Sequence, residues 1–272
     1  MYDVDRQDDN RVIIPRLEIY PVTGCNLRCQ HCAILSPWRK GWVTTEKIVN
    51  QSEVWRKKLH PATFAILGGE PFLHPDIATI ITESYRIWND SALEIVSNGL
   101  LLPQTPQCVY DALKKTKAWV IISDHSGMDL AHEKVVVACA CLNEKGIPYE
   151  LRPSNTHWRI QHQYDENGIP LPFQSDPHDA WSRCIVKHNH TLANNKLYKC
   201  SILASIIEGI EEGAISPVFW NDVRTYCALT PDADATSILE HLDANTNGCS
   251  VCPDKITVIE AKQMEKGQYH AI

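Results

Sequence analysis

From residue 17 to residue 154, short apolar runs alternate with longer stretches of helical period. LEIYPV (17–22) has strand length. WVTTEKIVNQSEVWRKK (42–58) spaces Ile48, Val49, Val54 and Trp55 along a helix face, with Thr44 or Thr45 as its cap. ATFAIL (62–67) predicts a buried strand, DIATIITESYRIW (76–88) a helix capped by Asp76, and ALEIVS (92–97) a third strand. VYDALKKT (109–116) reads as a helix, AWVIIS (118–123) as a strand, LAHEKVVVACACLNEKG (130–146) as a helix closed by Gly146, and IPYELRPS (147–154) as a fifth strand. Strand and helix alternate throughout, which implies parallel pairing through right-handed crossovers and an α/β fold.

After residue 155 the pattern changes. The segment to residue 183 is polar, rich in aromatics and broken by prolines and glycine, as a loop covering the open side of a sheet would be. HTLANNKLYKC (190–200) predicts a hairpin turning at Asn194-Asn195, and DATSILEHLD (234–243) a helix. The chain divides accordingly into 1–154, 155–183 and 184–272.

The 272 residues are 44% hydrophobic, enough for a sizeable core, and no apolar run is long enough to span a membrane. The N-terminal MYDVDRQDDN is acidic and does not read as a secretion signal. A net charge of -7 with no offsetting basic cluster argues against a nucleic-acid partner. It leaves room for an anionic substrate held by one or two arginines. The 11 cysteines, with no signal segment, read as a reduced, cytoplasmic set suited to metal binding or catalysis. Cys139 and Cys141 lie in an apolar run and read as packing residues.

Cys25, Cys29 and Cys32 share one tight loop, GCNLRCQHC, with no close fourth cysteine. Tetrahedral zinc needs four ligands, and His31 adjoins Cys32 too closely to serve the same ion well. Three thiolates on a cubane cluster would leave one iron open to an external ligand. CNLRCQHC (25–32) and GGEP (68–71) resemble, in order and spacing, two signatures of the radical S-adenosylmethionine (radical SAM) superfamily. A structural zinc beside a chance GGEP is the alternative.

The resemblance implies a partial (β/α) barrel of about five or six parallel strands, with its site at the strands' C-terminal ends. It implies S-adenosyl-L-methionine bound to a [4Fe–4S] cluster on Cys25, Cys29 and Cys32, and a 5'-deoxyadenosyl radical that abstracts hydrogen from an unactivated carbon. It places His31, Gly68, Gly69, Glu70, Pro71, Ser97, Asn98, Asp124 and Ser126 around the cofactor, and His125 and Arg152 at the reacting end. His31 departs from the family, which usually has an aromatic residue there. An external electron donor such as flavodoxin or ferredoxin follows from the same resemblance.

Cys184, Cys200, Cys249 and Cys252 resemble the auxiliary-cluster module called twitch, a shorter form of SPASM, and imply a second [4Fe–4S] cluster in a small C-terminal module. A structural zinc on the same four thiols is the alternative. The combination resembles the aminocyclitol dehydrogenases of aminoglycoside biosynthesis. It implies oxidation at a carbinol carbon of a small polyhydroxylated or amino-sugar substrate, with the auxiliary cluster accepting an electron. Three alternatives stand beside it: an epimerase using Cys227 as hydrogen-atom donor, a peptide-modifying enzyme, and a metal-binding interaction module.

Overall fold

The computed structural model describes residues 2–4, 11–125, 127, 132–153 and 157–265. In chain order these form β1 (Asp3–Val4), β2 (Val12–Val22), α1 (Thr45–Trp55), β3 (Leu59–Gly68), α2 (Ile77–Ile87), β4 (Ala92–Ser97), α3 (Gln107–Thr116), β5 (Trp119–Asp124), α4 (His132–Lys145) and β6 (Tyr149–Pro153). Then follow β7 (His157–Arg159), β8 (Gln163–Tyr164), β9 (Pro170–Leu171), α5 (Pro177–Ser182), β10 (Asn189–Ala193), β11 (Lys196–Tyr198), α6 (Ser201–Glu211), α7 (Ala235–Asp243) and β12 (Val258–Glu260).

β2 to β6 pair in parallel in sequence order, with α1 to α4 as the crossovers. This is the expected α/β arrangement of a partial barrel. Phe64, Ala65 and Ile66 are consecutive and all fully buried, as a strand covered on both faces requires. α2 buries Ile77, Ile80, Ile81, Ser84 and Ile87 on one stripe, and Phe64 stacks on Trp88 at 5.1 Å. Thr44 caps α1 by accepting from the Lys47 N–H. Asp76 occupies the cap position of α2 but makes no capping bond; its carboxylate accepts from the Thr45 hydroxyl at 3.3 Å.

Two differences from the sequence reading have physical causes. β2 starts at Val12 rather than Leu17, because Arg16, which interrupts the apolar run, is matched within the sheet by Glu18 at 2.7 Å and Glu94 at 2.5 Å. The hairpin of β10 and β11 turns at Asn194 and Asn195, both with positive φ, but it is not confined to a separate module. β10 lies parallel to β2 and extends the barrel sheet, while Trp55 of α1 donates to the Asn195 carbonyl at 3.2 Å. A hairpin's local pattern carries no information about which sheet edge it joins.

A second core, built on Ile202, Leu203 and Ile206 of α6, takes in Leu35 and Trp38 from just beyond the cysteine loop and Met264 from near the other end of the chain. The cysteine loop therefore sits between the barrel core and the C-terminal core.

Candidate active site

β2 ends at Val22 and runs into the loop carrying Cys25, Cys29 and Cys32. β3 ends beside it. The Gly69 N–H donates to the Val22 carbonyl at 2.8 Å, and the Glu70 N–H to the Gly24 carbonyl at 3.0 Å. A Cβ on Gly69 would lie 1.7 Å from the Gly24 oxygen, and one on Gly68 would lie 2.2 Å from the Val22 oxygen. The glycines are thus required by backbone packed on backbone. Both also line the cavity described below.

Glu70 is fully buried and lies behind that wall. Its carboxylate accepts from the Ser97 hydroxyl at 2.8 Å, the Asn98 N–H at 3.0 Å and the Phe72 N–H at 3.2 Å. Burial pushes its pKa up to about 7 against these three donors. Pro71 is buried in the following turn. Asn98, so positioned, donates to Asn26 at 2.7 Å and reaches Cys25 Sγ at 3.7 Å, and the Leu27 N–H also points at that sulfur. Burial, then the charge of Glu70, pushes the Cys25 thiol up to about 12; burial and the neighbouring thiols raise Cys29 as well. A metal cluster removes this penalty, because coordinating thiols are deprotonated outright. Three half-buried thiols in one loop, with N–H donors aimed at one sulfur, fit a three-thiolate cluster.

Two supports of the loop escaped the sequence reading. His31 adopts φ 57° and donates Nδ1–H to the His162 carbonyl at 2.9 Å, while its backbone N–H donates to the Tyr164 oxygen at 2.8 Å. Its ring packs 4.8 Å from Tyr164, in a cluster that includes Trp38. Segment 155–183 therefore grips the loop through its aromatics. The chain's far end also braces it: the Gln30 N–H donates to Lys262 at 2.9 Å and the Met264 N–H to Arg28 at 2.7 Å. Only the aromatic richness of 155–183 hinted at the first; nothing local signals the second.

A cavity of about 520 Å³ brings together Cys25, Cys29, Cys32, His31, Gly68, Gly69, Ser97, Asn98 and His125. His125 packs edge-on against Trp158, its Nδ1 has no hydrogen-bond partner among the described residues, and burial pushes its pKa down to about 4. It is therefore a neutral imidazole at physiological pH. Asp124 is buried outside the wall, and Ser126 lies outside the described residues. Two candidates sit elsewhere. Arg152 is 47% exposed and pairs with Glu150 at 2.8 Å on β6, where the consecutive residues Glu150 to Pro153 are all exposed. Cys227 lines a separate cleft of about 450 Å³ with Tyr198, Tyr226 and Glu211.

Cys184, Cys200, Cys249 and Cys252 all line a second, smaller cavity of about 50 Å³. Cys200 precedes α6 and receives N–H donors from Ile202 and Leu203, a setting that favours thiolate; burial still pushes it up to about 12. Among the described residues, no three of these sulfurs lie within 4.8 Å of one another. Four thiolates on one zinc would lie about 3.8 Å apart, given Zn–S near 2.3 Å. Arg159, Gln161 and Ile185 line both cavities and form the wall between them.

Residues 19–136 match the family model of the Radical SAM superfamily, a match that ends before these four cysteines. The GTP 3',8-cyclase of Clostridium acetobutylicum is 31% identical over 96 residues, covering 34% of this chain and 29% of that protein. Molybdenum cofactor biosynthesis protein 1 of Homo sapiens is 30% identical over 106 residues, covering 36% and 16%. The chain thus spans less than a third of each of these relatives. Among solved structures, BtrN in complex with AdoMet and 2-DOIA shares the fold at 14% identity, with a TM-score of 0.50 over 90% of this chain and 98% of that one. No helix among the described residues is long and apolar enough to cross a membrane.

Proposed function

We propose that this chain, a radical SAM superfamily enzyme, oxidises a carbinol carbon of a small polyhydroxylated or amino-sugar substrate. Its cofactors are S-adenosylmethionine and a [4Fe–4S] cluster, for which we assign Cys25, Cys29 and Cys32 as ligands; Cys184, Cys200, Cys249 and Cys252 are assigned to an auxiliary cluster. When bound, these groups supply a hydrogen-abstracting radical and an electron acceptor. The chain's own residues do the rest. Glu70 holds the Ser97–Asn98 turn, and Asn98 steadies the Cys25 side of the loop. His125 lines the cavity, and we assign it to take the hydroxyl proton. Trp158 and His31 line the cavity and are fixed by ring contacts with His125 and Tyr164.

The observation that carries this reading is the wall shared by the two cysteine-lined cavities. A substrate that loses a hydrogen atom and a proton must still lose an electron, and an auxiliary cluster on the four cysteines would lie across this wall from the substrate space. The extent of the fold shared with BtrN, whose structure holds 2-DOIA, agrees with it. An inverting reaction needs a hydrogen donor inside the cavity, and Cys227 lines another cleft.

The test is an anaerobic assay of the iron–sulfur-reconstituted protein in deuterated water against a panel of polyols and amino sugars. The expected product is lighter than its substrate by H2, with S-adenosylmethionine cleaved in step, and Cys227→Ala changes neither result. Solvent deuterium at an inverted carbon without oxidation would overturn it.

A further inference from the structure

The larger cavity has an uneven charge. Among the described residues its wall contains no carboxylate and a single guanidinium, Arg159. Glu70 lies behind the wall with both oxygens engaged. Arg11, Arg16, Arg39, Arg56 and Arg86 each pair with a carboxylate, whereas Arg159 is exposed and has no ion pair among the described residues.

The local structure makes this cation part of a row. His157, Arg159 and Gln161 stand at alternate positions, and all three line the cavity. Antiparallel pairing of β7 with β12, with Arg159 opposite Val258, fixes the backbone of His157 and Arg159. Trp158, between the first two, lines the same cavity, and Gln161 lies just beyond β7. The row presents an imidazole, a guanidinium and a carboxamide side by side. A guanidinium offers paired donors matched to the oxygens of a carboxylate or phosphate, and the flanking groups can bond hydroxyls.

We infer that the substrate is an anionic polyol, whose carboxylate or phosphate is held by Arg159 at the wall shared with the four-cysteine cavity. This rests on the reading of the larger cavity as the substrate site. It narrows that reading against amino sugars, since an ammonium group would meet Arg159 and no carboxylate among the described wall residues. Holding the anion at Arg159 also seats the substrate against the wall that separates it from the proposed electron acceptor.

The test is equilibrium binding to the reconstituted holoenzyme with S-adenosylmethionine present, using glucose, glucose 6-phosphate, glucuronate and glucosamine as probes. At least one of the two anions is expected to bind about tenfold or more tightly than glucose, and glucosamine more weakly than glucose. Comparing the phosphate with the carboxylate tells which anion fits. Arg159→Gln should abolish the preference and Arg159→Lys should keep part of it, with the cluster absorbance of both variants unchanged. Absence of any anion preference, including absence of binding, overturns the inference. So does a preference that survives in Arg159→Gln while affinity for S-adenosylmethionine falls, which would give the arginine to the cofactor's own carboxylate. The readout is binding, so anion preference without oxidation would sink the proposed reaction and leave this inference standing.

Discussion

Gly69 and Gly41 show how differently two glycines can matter at the scale of one residue. A Cβ at Gly69 would strike the Gly24 carbonyl, which is backbone and cannot swing aside, at the entrance to the cysteine loop. Gly41 has φ +97° but open space around the position of a Cβ. Gly69→Ala should therefore displace the loop and abolish iron incorporation at Cys25, Cys29 and Cys32. Gly41→Ala should only strain the backbone, by about 1–2 kcal/mol. Iron content after reconstitution, measured for both variants, checks this; equal iron in the two would contradict the clash. The GGEP stretch was legible in sequence, but its division of labour was not. Spacing marks the motif, yet only the folded chain shows that Glu70 clamps Ser97 and Asn98 from behind the wall. Arg152 was misleading for a related reason: a position at a strand's end does not say which face the side chain takes on an exposed edge.

At the scale of elements, the βα alternation of β2 to β6 was readable because each buried strand is a compact apolar run and each crossover helix has its own stripe. What stayed hidden were pairings between distant segments. The β10–β11 hairpin joins β2, and the strand β12 joins β7, through backbone bonds that no side-chain pattern encodes. The segment from 258 to 264 has a further task, since its backbone bonds to Arg28 and Gln30 brace the cysteine loop. Ending the chain after residue 257 should spare Cys249 and Cys252 but loosen Cys29 and its neighbours. The expected result is an iron content near half that of the full chain and no cleavage of S-adenosylmethionine, with faster amide exchange over residues 25–32. Full iron and cleavage in the shortened chain would show that the brace is dispensable.

At the scale of the whole molecule, buried neutral histidines link the parts. His162 holds the aromatic cluster at the cysteine loop, His190 donates to the Lys199 carbonyl at 2.7 Å, and His241 faces Tyr226 at 2.9 Å. Burial pushes His162 and His190 down to about 3, and His241 and His125 down to about 4. Each folded pKa lies below the value near 6.5 expected in the unfolded chain. The unfolded state then binds more protons between about pH 6.5 and pH 4, so stability is fully present above the upper value and falls as pH drops through the window. Glu70 acts in the opposite sense: its folded pKa, raised to about 7, makes its contribution fade as pH rises through that value. Glu70 titrates between about pH 4.5 and pH 7, within the same window, and offsets one of the four histidines, so the melting temperature of the holoenzyme should fall from neutrality toward pH 5 and change little from these groups between pH 7 and pH 8. His190→Gln should flatten the acid limb, because it removes one proton-binding group from the unfolded chain and leaves a polar side chain at the Lys199 carbonyl. Thermal melts at intervals across this range, on the holoenzyme and on His190→Gln, decide the matter. An acid limb of equal slope in both would mean that carboxylates, rather than these buried imidazoles, set the acid sensitivity of the fold.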